Sequence, residues 1–140
     1  AEKDKGAYLN DTKLSVSSSF TLSDSLIVTG FPYLHDIRYD LSFEIFKELY
    51  GKTRGIRRLG AAALDLCFVA MGRFDAFYEF ELKPWDICAG SLIVSEAGGI
   101  VSDWNGLKVP DSGIRILASN NKVHNEIIEV LKSEKYRIFY

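Results

Sequence analysis

The stretch Leu82-Lys83-Pro84-Trp85-Asp86-Ile87-Cys88-Ala89-Gly90, running on to Glu96-Ala97-Gly98-Gly99, decides how this chain is read. Proline suits the first helical position, where the N–H it lacks would have no intrahelical acceptor, and glycine suits the position just past the last. The stretch therefore predicts a helix over 84–97. Working back from it, 74–80 predicts a strand, 61–70 an Ala-rich helix and 55–59 another short strand. Over 37–50 the apolar residues at 37, 41, 45, 46 and 49 share one helical face, with Gly51 as C-cap. Residues 25–29 predict a strand stopped by Gly30 and Pro32. Asn10-Asp11, between two short alternating runs, predicts a tight hairpin. Working forward, 100–101 and 114–118 predict strands. Asn120 or Asn121 is then expected to cap a last amphipathic helix carrying Val123, Ile127, Ile128 and Leu131. Strands alternating with helices argue for an α/β fold, a mixed or parallel sheet covered by helices.

Two of these helices, 61–70 and 87–97, are apolar nearly all round, which predicts burial between layers. One lobe of 140 residues would struggle to cover both, so the chain reads as a piece of something larger. The composition, 47% hydrophobic and 26% charged with a net charge of −2, is that of a soluble globular lobe. So weak a charge leaves no electrostatic footprint for nucleic acid or an anionic membrane. No apolar run approaches the ~20 residues of a membrane span. The charged start, Ala1-Glu2-Lys3-Asp4-Lys5, with no apolar run behind it, is not expected to act as a signal peptide. Cys67 and Cys88 lie in runs that read as buried helix, which predicts packing residues in a reducing, cytoplasmic compartment.

Asp86 admits two readings. An acidic side chain in a helix's first turn is favoured by the helix dipole and needs no other purpose. The same carboxylate at a helix mouth could instead bind a hard cation such as Mg²⁺. Periodicity does not separate them. The other titratable residues read as structural or solvated. Arg57 and Arg58 face opposite ways on a strand, so at most one could meet a second phosphate, and solvated surface suits both better. His35 and His124 stand apart from any acidic or Cys cluster and are expected at the surface. Asp65 and Asp75 are expected to be structural.

The run from Trp85 to Gly90, with Glu96-Ala97-Gly98-Gly99 behind it, resembles the C-terminal motif of the inositol monophosphatase family. The similarity continues upstream through Gly72-Arg73-Phe74-Asp75-Ala76-Phe77-Tyr78-Glu79 and Arg57-Arg58-Leu59-Gly60-Ala61-Ala62-Ala63-Leu64-Asp65. It reaches back to Lys5-Gly6-Ala7-Tyr8-Leu9-Asn10, the hairpin found midway through family members. It covers nearly the whole chain, in order and at compatible spacing. The resemblance implies the C-terminal lobe of the layered inositol monophosphatase and sugar phosphatase fold, one lobe over 1–140.

The resemblance also implies roles. Asp86 would be a carboxylate ligand of a catalytic Mg²⁺ and lie near a substrate hydroxyl; it is the one catalytic residue expected in this chain. Glu79 would hydrogen-bond a ring hydroxyl from the end of its strand. Gly60, Ala61 and Ala62 would face the substrate with backbone N–H groups at a helix N-terminus. Many members carry Ser or Thr where this chain has Ala61, so a hydroxyl contact is missing there. The family's remaining metal carboxylates come mainly from a Glu pair and an Asp-Pro-x-Asp-Gly-Thr motif in the N-terminal half. Neither occurs here. A lone carboxylate does not complete the oxygen shell Mg²⁺ requires, so the chain is expected to be inactive without its N-terminal half.

The implied activity of the whole protein is Mg²⁺-dependent, lithium-sensitive hydrolysis of myo-inositol phosphate. Fructose 1,6-bisphosphate, histidinol phosphate and phosphoadenosine phosphate are further substrates to weigh. Family members usually form homodimers, so a homodimer is expected. The alternative is a non-catalytic lobe acting as a dimerisation or partner-binding module.

Overall fold

A computed structural model describes residues 1–110 and 114–139. The chain opens with a hairpin of β1 (Tyr8–Leu9) and β2 (Thr12–Lys13), turned at Asn10 with φ +53°. Glu96 accepts from the backbone N–H groups of Asp4 and Gly6, each at 2.8 Å, and so ties this hairpin to the body. The body is a five-stranded sheet in the order β4 (Gly55–Arg57), β3 (Leu26–Thr29), β5 (Ala76–Leu82), β7 (Ile114–Ser119), β6 (Ile100–Ser102). The first three strands run parallel, and β7 is antiparallel to both its neighbours. The sheet is therefore mixed, one of the two forms expected.

Helices cover both faces. Because side chains alternate along a strand, Ile27, Tyr78 and Leu117 point to one face and Val28, Phe77 and Ile116 to the other. On the first face lie α1 (Ile37–Tyr50), α4 (His124–Leu131) and a 3₁₀ turn over Glu134–Phe139, packed around Trp104, Leu49 and Ile127. On the second lie α2 (Ala62–Ala70) and α3 (Pro84–Glu96), with Leu66, Val69 and Val94 buried between them and the sheet. Gly90 lets α2 and α3 meet closely: a Cβ there would lie 2.6 Å from Leu66 Cβ.

Several expectations are corrected. Ile37, at the very start of α1, points outward, while Ile45 and Leu49 carry that helix's core face. The inner faces of α2 and α3 are buried, but Leu64, Trp85 and Cys88 on their outer faces are exposed. Both cysteines are free thiols, and only Cys67 is even partly covered. His124 is buried, not superficial. Its ring lies between the hydroxyls of Ser102 and Ser119, 2.8 Å from each, and burial pushes its pKa down to about 4. Asn120 does not cap α4; its carboxamide oxygen takes the N–H groups of Lys122 and Val123, ordering the turn ahead of the helix. Asp75 is structural as expected, accepting from Ser17 Oγ at 2.5 Å and Leu26 N at 2.7 Å. Among the described residues no helix is long and apolar enough to cross a membrane.

Candidate active site

A cleft of about 440 Å³ opens at the C-terminal ends of the three parallel strands, where α/β sheets commonly receive ligands. Each wall follows from local chain chemistry. β3 stops after Thr29, one residue short of the level of Glu79, because Gly30 and Pro32 end its pairing. Glu79 stands within β5, which runs on to Leu82, so the strand end expected at Glu79 lies three residues later. Its carboxyl fills the space beside Gly30 that a Cβ would need, so a larger residue there would push the Glu79 carboxyl aside. Residues 31–34 form the adjoining wall. Phe31 stacks on Phe43 of α1, with ring centroids 4.5 Å apart.

Opposite, the chain turns from β4 into α2 through Gly60, at φ +93°. Arg58 and Arg57 part ways here. Arg57 Nη1 donates to the Ile56 carbonyl at 3.1 Å, whereas Arg58 enters the cleft lining beside Gly60, Ala61 and Ala62. A Cβ on Gly60 would come within 2.5 Å of Arg58 Nη1, so the guanidinium lies against that glycine. Arg58 is exposed, as expected of a solvated arginine, and it is exposed at the rim of the cleft. Ala61 is the N-cap of α2 and makes no side-chain cap bond. The first N–H groups of α2 have no intrahelical acceptor, and they open beside the cleft.

Asp86 sits in the first turn of α3 and lines the same cleft. Its role at the helix start is seen directly. Its Oδ2 accepts the Lys83 N–H at 2.8 Å while its own N–H donates to the Lys83 carbonyl at 2.9 Å, which ties down the helix start. The five residues to which the resemblance assigns site roles, Gly60, Ala61, Ala62, Glu79 and Asp86, therefore border one opening.

The electrostatics of the floor are unusual. Burial pushes the Glu79 carboxyl up to about 7, with Asp65 and Asp86 adding to the rise and Arg58 opposing it. Asp65, one turn into α2, is 1% exposed and its Oδ1 has no hydrogen-bond partner among the described residues. Burial raises its carboxyl to about 6 against the pull of Arg58. Asp65 is expected to be structural, and a buried carboxyl oxygen without a partner contributes no structural bond. Its position one turn behind the 60–62 loop was the available signal.

The residues present do not make a metal site by themselves. Among the described residues no group of three or more His, Cys, Asp or Glu could hold an ion. One oxygen of Asp86 is already engaged by Lys83. The donor set fits a single contributed ligand, not a six-oxygen shell.

Comparison with known proteins decides the family. The model of the inositol monophosphatase family matches residues 1–136. The chain belongs to the inositol monophosphatase family. It is 48% identical over 133 residues to the putative Nus factor SuhB of Neisseria meningitidis serogroup B, covering 95% of this chain and 51% of that protein. It is 44% identical over 126 residues to the inositol-1-monophosphatase of a Synechocystis species, covering 90% of this chain and 44% of the relative. The crystal structure of the extragenic suppressor protein suhB from Bartonella henselae superposes with a TM-score of 0.89 at 38% identity, covering 96% of this chain and 51% of that one. The chain spans about half the length of the relatives it matches. Members of the family are phosphatases and generally metal-dependent.

Proposed function

We propose that this chain is the C-terminal lobe of a Mg²⁺-dependent phosphomonoesterase acting on inositol monophosphate or a similar sugar phosphate, and that it is inactive alone. The observation that carries the reading is the convergence of Glu79, Asp86 and the start of α2 on one cleft. Relatives named inositol-1-monophosphatase support the substrate class.

In this reading Asp86 contributes one carboxylate to Mg²⁺, and the other ligands come from outside the chain. When bound, the ion would neutralise charge on a phosphate monoester. This lobe's own residues bind and orient. N–H groups at the start of α2 receive an acceptor oxygen of the ligand, aided by the helix dipole. Glu79, whose carboxyl sits near 7, is present in both forms at neutral pH and can accept from a polyol hydroxyl or donate to one. Arg58 keeps the floor from becoming wholly anionic. The setting is cytoplasmic and the assembly a homodimer; the free thiols of Cys67 and Cys88 are in keeping with a reducing compartment.

A partner-binding lobe without catalysis is the second reading. The exposed outer faces of α2 and α3, with Trp85 78% exposed, favour it. One assay separates the two. The purified chain and the complete gene product are given inositol monophosphate, fructose 1,6-bisphosphate and histidinol phosphate with Mg²⁺. We expect turnover by the complete product alone. Turnover by the isolated chain would show that the outside carboxylates are not needed. Failure of the complete product on every substrate would favour the partner-binding lobe.

A further inference from the structure

One residue at the cleft holds a backbone conformation that its side chain does not favour. Glu81 has φ +63°, the left-handed region where a Cβ crowds the following carbonyl and glycine is at ease. It sits where the β5–β7 register shifts between Phe80 and Leu82, so β5 bulges at the cleft. Its side chain lines the cleft and pairs with Arg38 Nη1, in the first turn of α1. Arg38 is itself clamped from the other side. Asp36, the N-cap of α1, accepts from Arg38 Nε at 3.0 Å and Nη2 at 2.6 Å and from the Arg38 backbone N–H at 2.8 Å.

The wall made by residues 31–34 hangs between these anchors. At one end Phe31 is stacked on Phe43 and tilted against Phe46 of α1. At the other, Asp36 caps the same helix. Between them the chain has no regular structure, and Tyr33 is 92% exposed although it borders the cleft. The wall is thus fastened to α1 at Phe31 and Asp36 and continues from β3 through Gly30, while the Glu79 floor belongs to β5. Beyond the shared core, the Arg38–Glu81 ion pair ties the start of α1 to β5 at the cleft. We infer that Glu81 is a positioning residue: through Arg38 it fixes the 31–34 wall at a set distance from Glu79, and so sets the width of the ligand cleft. Strained backbone persists where the surroundings enforce it, commonly at ligand sites, and here the enforcing contact is the ion pair. The inference rests on the reading of this cleft as the ligand site, and it adds a residue that acts without touching the reacting phosphate.

The test uses Glu81→Gly, Glu81→Gln and Arg38→Met in the complete gene product. Glycine relieves the backbone while removing the pair, so thermal stability should be unchanged or higher. Amide exchange over 31–38 should nonetheless quicken by about tenfold or more, the mark of local opening. KM for inositol monophosphate should rise about fivefold or more while kcat moves less than about twofold, because uniform binding is lost and not chemistry. Glutamine, which keeps a hydrogen bond to Arg38, should fall between wild type and glycine. The Arg38→Met/Glu81→Gly double variant should be no worse than either single one, since both break the same contact. Unchanged exchange over 31–38 in Glu81→Gly, or unchanged KM with quickened exchange, would overturn the inference. If the wild-type product hydrolyses none of the substrates, the phosphatase reading fails, and the exchange measurement still decides whether Glu81 holds the wall.

Discussion

Two ionisable side chains shielded from water, Glu79 and His124, carry most of what can be tested one residue at a time. Glu79 has its folded pKa raised from 4.5 to about 7, chiefly by burial. A raised carboxyl contributes stability that is fully present below pH 4.5 and is lost as pH rises through 7. Glu79→Gln should therefore stabilise the fold at pH 8, by on the order of 2 kcal/mol, and leave it little changed at pH 4.5. Denaturant titrations at the two pH values would show it; equal effects at both would mean that Glu79 ionises as freely folded as unfolded. His124 runs the other way. Its folded pKa is lowered from 6.5 to about 4, so its contribution is intact above pH 6.5 and lost as pH falls toward 4. The stability slope there should approach about 1.4 kcal/mol per pH unit from this group, and His124→Gln should flatten it. A slope unchanged by the substitution would assign acid sensitivity to other groups. None of this was visible in the sequence for His124, because its burial depends on Ser102 and Ser119 from two other strands. Isolation from other ligand-type residues said nothing about depth.

At the scale of elements, the α2–α3 contact is the most sensitive point, since a methyl on Gly90 would overlap Leu66 Cβ and Cδ1. Gly90→Ala should cost about 1–3 kcal/mol by overpacking, read as a fall in the urea midpoint. A loss under half of that would mean α3 can shift outward freely. The order of strands and helices was legible in the chain because turn residues and periodicities are local signals. Asn10-Asp11 marked the hairpin, and Pro84 with Gly98 bracketed α3. What escaped was set by neighbours distant in sequence. β5 continues past Glu79 because β7 pairs with it through Leu82. Arg58 reads as one of two strand arginines until Gly60 is seen to leave room for it over the cleft. Residues 31–34 read only as a strand stop, yet they wall the site.

For the whole molecule, the mixed sheet brings five residues singled out by resemblance to one opening, though they lie 26 positions apart along the chain at their extremes, Gly60 and Asp86. That convergence could be anticipated only through family resemblance, because composition and periodicity left Asp86 with two readings. The carboxylate ties down the start of α3 and borders the cleft. Asparagine separates the two readings, since its carboxamide oxygen can still accept the Lys83 N–H while its ability to hold a hard cation is largely lost. The decisive measurement is kcat of the complete gene product on inositol monophosphate at saturating Mg²⁺, for wild type and Asp86→Asn. We predict a fall of at least about 100-fold with an unchanged unfolding midpoint. Turnover within about twofold of wild type would contradict the assignment of Asp86 to the metal.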